Sequence, residues 1–133
     1  MITIAREKKL LKVMDHKGVL VVAFYGQDVA SLELVERHRV ELTGEDIEFF
    51  AGMLINPEVL DKTGKVDLKE PDYPYIIRVR WDNHNRILSF LPWEEGGAVE
   101  KIRLSPLDAL KIGKLAERTC LINHLIERLK FEG

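Results

Sequence analysis

The chain has a single cysteine, Cys120, and its longest apolar run, residues 19–25, contains only seven residues. One cysteine cannot form a disulfide within the chain, and seven apolar residues fall far short of the ~20 that a membrane-spanning helix needs. The first residues, 1–9, include a charged stretch and lack the apolar core of a secretory signal peptide. We therefore expect a cytoplasmic protein that has no membrane partner.

Neither sign of charge is in excess, because 20 basic residues face 22 acidic ones and the formal net charge is −2. Nucleic-acid binding draws much of its strength from neutralised phosphates, so any such binding requires a local basic surface. The hydrophobic content of 46% is typical of a globular chain rather than a disordered one. At 133 residues, the chain is expected to form one domain.

Motifs that mark a cofactor or a catalytic centre are missing from the sequence: there is no phosphate-binding loop, dinucleotide fingerprint, HExxH, CxxC or nucleophile elbow. His16 and His84 stand near Asp15 and Asp82, a combination that can bind metals, but turn polarity explains them more simply. The acidic segment 94–97 ends in two glycines and is typical of a flexible hairpin tip. We predict no enzyme, no catalytic residue, no metal site and no cofactor.

A pattern of strand, helix cap and amphipathic helix occurs twice, at residues 40–47 and 102–109, an offset of 62. Thr43 and Ser105 are residue types that cap helix N-termini. At the same offset, the apolar positions Ile47, Phe50, Ala51 and Leu54 correspond to Ala109, Ile112, Gly113 and Ala116. Upstream, the turn and strand at 15–22 match 83–90 at an offset of 68. Duplication is predicted, and chance similarity of two amphipathic segments is the alternative.

Alternating apolar and polar residues predict three strands before each helix. They are expected at about 9–14, 19–25 and 32–42 in the first unit and at 75–81, 86–91 and 99–104 in the second, with room for another strand at 1–5. The segment 56–74 is rich in proline and charge and is interpreted as a polar connector between repeats at about 1–55 and 75–133. The predicted fold class is α+β, a single domain over 1–133. It has two antiparallel β-sheets, each unit ends in a helix, and the two units form a tandem pseudo-twofold repeat.

The last helix is expected to run to about Phe131, and its apolar face changes direction near Cys120. Small residues before that point allow a close approach to the first helix, whereas the apolar residues after it need another surface. These later residues are Leu121, Ile122, Leu125, Ile126 and Leu129. We expect them to pair with a second copy of the chain and so to form a homo-oligomer. The alternative is that they complete the core of the monomer.

Basic residues recur at alternate positions of the predicted strands, and alternate side chains share one face of a sheet. The residues predicted to line a nucleic-acid-binding face are Lys12, Lys17, Tyr25, Arg37, Arg39, Arg78, Arg80, Arg86, Trp93, Lys101 and Arg103. Bases stack on aromatic rings while lysine and arginine hold the phosphates, which gives a surface for single strands. The alternative is that the cations protect strand edges from aggregation and that the tryptophans belong to the core.

Two units of consecutive antiparallel strands followed by a helix resemble the Whirly family and the single-stranded-DNA-binding transcriptional coactivators. The resemblance covers residues 12–54 and 80–129. Within them, 15–21 resembles the Lys-Gly turn between the first two strands of that fold, and 102–106 resembles its strand-to-helix junction. The resemblance implies a non-enzymatic, Whirly-like protein that binds single-stranded DNA or RNA across its sheets and takes part in transcription regulation. A homo-oligomeric protein-interaction module of the same fold, without nucleic-acid binding, is the alternative.

Overall fold

A computed structural model describes residues 1–132, which form two similar halves. The first half contains β1 (Ile2–Arg6), β2 (Lys9–His16), β3 (Val19–Gln27), β4 (Leu34–Leu42) and α1 (Glu45–Ile55). The second contains β5 (Lys65–Leu68), β6 (Ile76–Asp82), β7 (Asn85–Leu91), β8 (Glu100–Leu104) and α2 (Pro106–Glu132). One turn of 3-10 helix, Pro57–Val59, follows α1.

The strands form two antiparallel sheets in sequential order, sheet 1 from β1 to β4 and sheet 2 from β5 to β8. A helix follows each sheet. The predicted α+β class, with two antiparallel sheets and a repeated unit that ends in a helix, is therefore confirmed. Residue 133, the end of the predicted second repeat, lies outside the described residues.

Each half contains four strands, one more than the three that were predicted. β1 takes the place left for a strand at residues 1–5 and pairs with β2. β5 lies inside the segment 56–74 and pairs with β6. Because Val66 and Leu68 of β5 are buried while its two polar residues alternate with them, this short strand belongs to sheet 2. The second sheet therefore begins at Lys65, within the segment interpreted as a connector.

The central hairpins of the two sheets correspond at an offset of 66, not 68. Val22 pairs with Val40, and at the equivalent position Leu88 pairs with Ile102, so 22 corresponds to 88. The offset of 68 comes from similar residues in the two turns, and it aligns the hairpins two residues out of register. A shift of two leaves every side chain on the same face of the sheet, so alternation cannot detect it.

One hydrophobic core joins both sheets and both helices. Phe24 of β3 meets Phe90 of β7, with ring centroids 5.8 Å apart. The two helices pack closely, since a Cβ added to Gly113 would lie 2.7 Å from Cγ2 of Ile55. The small residues of α2 therefore allow the close approach that the sequence predicted.

The two helices begin differently. Ser105 Oγ accepts a hydrogen bond from the Asp108 N–H at 3.1 Å, which confirms the predicted cap of α2. The prediction for Thr43 is wrong, because Gly44 is the N-cap residue of α1 and no side chain caps it. The chain already turns at Gly44, where φ is +58°, so Thr43 lies one residue too early.

The exposed face of α2 changes along its length, as predicted. Buried residues continue only as far as Cys120, and Leu121, Leu125 and Leu129 are exposed. Ile126 contacts the turn between β2 and β3, where a Cβ added to Gly18 would lie 3.1 Å from its Cδ1. No helix within residues 1–132 is long and apolar enough to cross a membrane.

Candidate nucleic-acid interface

The face of sheet 2 that points away from the core carries five cations and two carboxylates, here called the cationic face. They are Lys65 and Asp67 on β5, Arg78, Arg80 and Asp82 on β6, and Lys101 and Arg103 on β8. The register sets most of them in two adjacent rows. One row runs Lys65, Arg80, Ile87, Arg103 and the other Asp67, Arg78, Ser89, Lys101. Because neighbouring strands are ~4.8 Å apart, each row of four spans about 14 Å.

Two of the cations on this face form ion pairs. Arg78 donates two hydrogen bonds to the Asp67 carboxylate, at 2.7 and 2.9 Å. These bonds lower the pKa of Asp67 and raise the pKa of Arg78. Arg103 lies 3.3 Å from Asp82.

The other three cations of the face are Lys65, Arg80 and Lys101, and none of them forms an ion pair with any residue between 1 and 132. Lys65 is the member that the sequence prediction lacks, because it lies in the segment interpreted as a connector. The signal was present, since the sequence Lys65-Val66-Asp67-Leu68 alternates in the way a half-buried strand does. The structure thus brings four of the predicted residues, Arg78, Arg80, Lys101 and Arg103, onto one face and adds a fifth.

Three other predicted residues, Lys12, Tyr25 and Arg39, lie on a different surface, the outer face of sheet 1. Lys12 Nζ is 4.9 Å from the centre of the Tyr25 ring, a cation–π contact. Arg39 Nε donates to Glu36 Oε1 at 2.9 Å, and the Tyr25 hydroxyl lies 3.5 Å from the same oxygen. Glu41 also lies on this face of β4. On β2, β3 and β4, two cations are therefore matched by two carboxylates.

Arg37 and Lys17 join neither group. Phe24 pairs with His38 and Tyr25 pairs with Glu36, so Arg37 is the extra residue of a β-bulge. Its Nη2 atom donates to the carbonyl oxygen of Gln27 at 3.1 Å. Lys17 occupies the turn between β2 and β3, the turn that contacts α2.

Arg86 lies on the inner side of sheet 2. Its guanidinium carbon is 3.7 Å from the centre of the Trp81 ring, and its Nε donates to the carbonyl oxygen of Leu54 at 2.9 Å. Burial lowers the pKa of Arg86. This arginine therefore binds the C-terminal end of α1, where helical carbonyl groups lack partners, and it is separate from the cationic face.

The aromatic residues proposed as stacking platforms do not lie among these cations. Trp93 is in the loop after β7, where its Nε1 donates to the Tyr73 carbonyl oxygen at 2.7 Å. Trp81 stacks on Arg86, and Tyr25 lies on sheet 1. In the described part of the chain, the strands of sheet 2 carry no aromatic side chain on the cationic face. That face can hold phosphates but offers no ring on which bases can stack.

Comparison of the chain with protein-family models, with curated proteins and with solved structures gave no match in any of the three. Any functional assignment therefore depends on the residues and geometry of the chain itself.

Proposed function

We propose that the chain is a non-enzymatic protein that binds single-stranded DNA or RNA through the cationic face of sheet 2. One observation supports this most strongly. Lys65, Arg80 and Lys101 share a face and form no ion pair with a described residue, although the chain as a whole is slightly acidic. A sugar-phosphate backbone supplies the negative charges that such a face lacks.

The absence of rings from this face shapes the proposed binding mode. Phosphate contacts position a strand but carry no sequence information directly, so binding is expected to tolerate many sequences. It should also weaken steeply with salt. If about four phosphates are neutralised, the logarithm of the affinity should fall with the logarithm of the salt concentration at a slope of roughly −3.

The repeated order of four antiparallel strands and a helix supports a Whirly-like relationship, and with it a role in transcription regulation. We also place the protein in the cytoplasm. Its one cysteine is buried and has a pKa raised by burial, which suits a reducing compartment in which disulfides are rare.

The test is a titration of a labelled mixed-sequence single-stranded oligonucleotide at low and moderate salt. Arg80→Glu/Lys101→Glu should weaken binding at least tenfold. Lys12→Glu/Arg39→Glu is the matched control, because it makes the same change in net charge on the outer face of sheet 1, and it should change the affinity by less than about threefold. Equal losses in both variants would remove the assignment to sheet 2, and equal affinity for a duplex of the same sequence would remove the preference for single strands.

A second candidate function is a homo-oligomeric interaction module, which the C-terminal half of α2 favours. Leu121, Leu125 and Leu129 follow i, i+4, i+8 spacing and are 60%, 51% and 68% exposed. The other two predicted contact residues, Ile122 and Ile126, are half-buried. The surface available to a second copy is therefore the leucine stripe, formed by Leu121, Leu125 and Leu129. Exposed apolar stripes of this kind commonly mark protein contacts.

The mass of the protein in solution tests this second candidate. The wild type should have at least twice the 15.3 kDa of one chain, and Leu125→Glu should return it to the monomer. Leu107→Glu, at an exposed leucine near the start of the same helix, is the control and should leave the mass unchanged. A monomeric wild type at high concentration would rule out the oligomer.

A further inference from the structure

A groove lies between the first residues of β1, the edge strand of sheet 1, and the helix α2. The strand order places β2 on one side of β1 and no strand on the other within residues 1–132. The helix α2 passes this open side. At one end of β1, Arg6 donates to Asp108 at 2.9 Å, and at the other end Met1 and Ile2 line a groove of about 550 Å³ together with α2.

The wall that α2 contributes to this groove is basic. Lys111, Lys114 and Arg118 line it, and their spacing of three and four residues sets them on one face of the helix. All three side chains are exposed, and none forms an ion pair with a described residue. Ile2 and Leu115 add apolar surface. Toward the other end of β1, Arg6 Nη1 already donates to the Ala5 carbonyl oxygen at 2.9 Å, so only the start of the strand adjoins the groove. The groove therefore combines the start of an edge strand, apolar contacts and three cations that form no ion pair with a described residue.

We propose that this groove binds an acidic, extended segment of a partner protein, which adds to β1 as a fifth strand of sheet 1. In strand addition, main-chain hydrogen bonds supply affinity and alternate side chains supply specificity. From Lys111 to Arg118 the helix rises about 10 Å. Alternate residues of a strand lie about 7 Å apart. Two acidic residues at alternate positions of the added strand, about 7 Å apart, therefore fit within the length of the basic wall.

Other ligands would contact only some of the features of the groove. A nucleic-acid strand would neutralise Lys111, Lys114 and Arg118 but has no use for an open row of backbone groups beside Ile2. A second copy of the chain paired through the leucine stripe would meet α2 farther along, beyond Arg118. Binding of the acidic segment is therefore independent of the proposed function of the cationic face.

The probe is a fluorescent nine-residue peptide that alternates glutamate and threonine, titrated against the full chain and followed by anisotropy. Lys111→Glu/Lys114→Glu should weaken its binding at least tenfold. Lys62→Glu/Lys130→Glu changes the net charge equally at exposed lysines outside the groove and should alter the affinity less than twofold. No binding by the wild type, or equal loss in both variants, would overturn the proposal.

Two backbone-methylated versions of the peptide test strand addition itself. In an added strand, the N–H groups of alternate residues point toward β1 and the others point toward solvent. Methylating one alternate set should abolish binding, and methylating the other should leave it within about threefold. If both peptides still bind, the contact is only electrostatic and strand addition is wrong. If Lys111→Glu/Lys114→Glu instead weakens oligonucleotide binding and leaves peptide binding intact, the groove belongs to nucleic acid.

Discussion

The two sheets have the same strand order but different outer faces. Sheet 2 presents five cations and two carboxylates, whereas β2, β3 and β4 of sheet 1 present two cations matched by two carboxylates. Their inner faces are alike, since Val22 and Phe24 correspond to Leu88 and Phe90, and all four are buried. Packing keeps the inner residues similar, while the outer residues can differ. The fold is therefore repeated in the two halves, whereas the proposed nucleic-acid-binding surface belongs to sheet 2 alone.

One difference between the inner faces gives the largest expected effect. Leu20 pairs with Leu42, and at the equivalent place Arg86 pairs with Leu104. Arg86→Leu would make the repeats alike here, but it removes the hydrogen bond to Leu54 and the stacking on Trp81. We expect the free energy of unfolding to fall by about 3 kcal/mol, measured by urea denaturation. Arg103→Leu, at an exposed site on the same sheet, should change it by less than about 0.5 kcal/mol.

A gain of binding would sharpen the contrast between the outer faces. Asp67→Asn/Asp82→Asn removes both carboxylates and frees Arg78 and Arg103 from their ion pairs. Affinity for the single-stranded oligonucleotide should rise about tenfold at low salt, and its salt dependence should steepen, because more phosphates can be neutralised. The matched variant Glu36→Gln/Glu41→Gln on sheet 1 should leave both quantities nearly unchanged. An equal gain in both variants would mean that net charge alone sets the affinity.

The two helices differ in how much room a central glycine has. A Cβ added to Gly113 of α2 would lie 2.7 Å from Ile55, whereas one added to Gly52 of α1 would meet only Val59, at 3.8 Å. Gly113→Ala should therefore lower the free energy of unfolding by about 1 kcal/mol, because crowding outweighs the gain in helix propensity. Gly52→Ala should raise it by about 0.5–1 kcal/mol. Thermal unfolding measures both, and a stabilising Gly113→Ala would show that the helices can separate at little cost.

The fold class was predictable because its signals were repeated. Alternating strands and an apolar helix stripe each occur in both halves. The strand β5 was missed because its alternation extends over only four residues, which stand among proline and charge. Pairing with β6 stabilises it, and the sequence of β5 alone does not reveal that pairing.

Strand alternation predicted the cationic face only in part. Alternation places Arg78 and Arg80 on one side of the sheet, and it places Arg86 on the opposite side, with Leu88 and Phe90. Arg37 was misplaced because a β-bulge shifts the register at that point, and the sequence carries no mark of it. An offset of 68 makes Trp93 the counterpart of Tyr25, and the observed offset of 66 removes that correspondence.

The smallest effect is expected at His38, which occupies the place that Glu100 takes in the second repeat. The His38 ring stacks on Phe90 with centroids 5.3 Å apart and meets the edge of Tyr75 at 4.3 Å. Neither ring nitrogen has a hydrogen-bond partner among the described residues. Burial lowers the pKa of His38 from its ordinary 6.5, with Arg37 acting in the same direction and Glu100 opposing.

Because the pKa of His38 is lower in the folded state, the unfolded chain takes up its proton first as the pH falls. This histidine should therefore reduce stability as the pH drops below about 6.5 and have no effect above it. His38→Phe keeps an aromatic ring against Phe90 and should remove that part of the decrease, measured by urea denaturation at about pH 7.5 and pH 5.5. His124→Gln, at an exposed histidine of α2, should retain it. If His38→Phe loses as much stability as the wild type between these two pH values, the proton is taken up elsewhere and the aromatic contacts tolerate a charged His38.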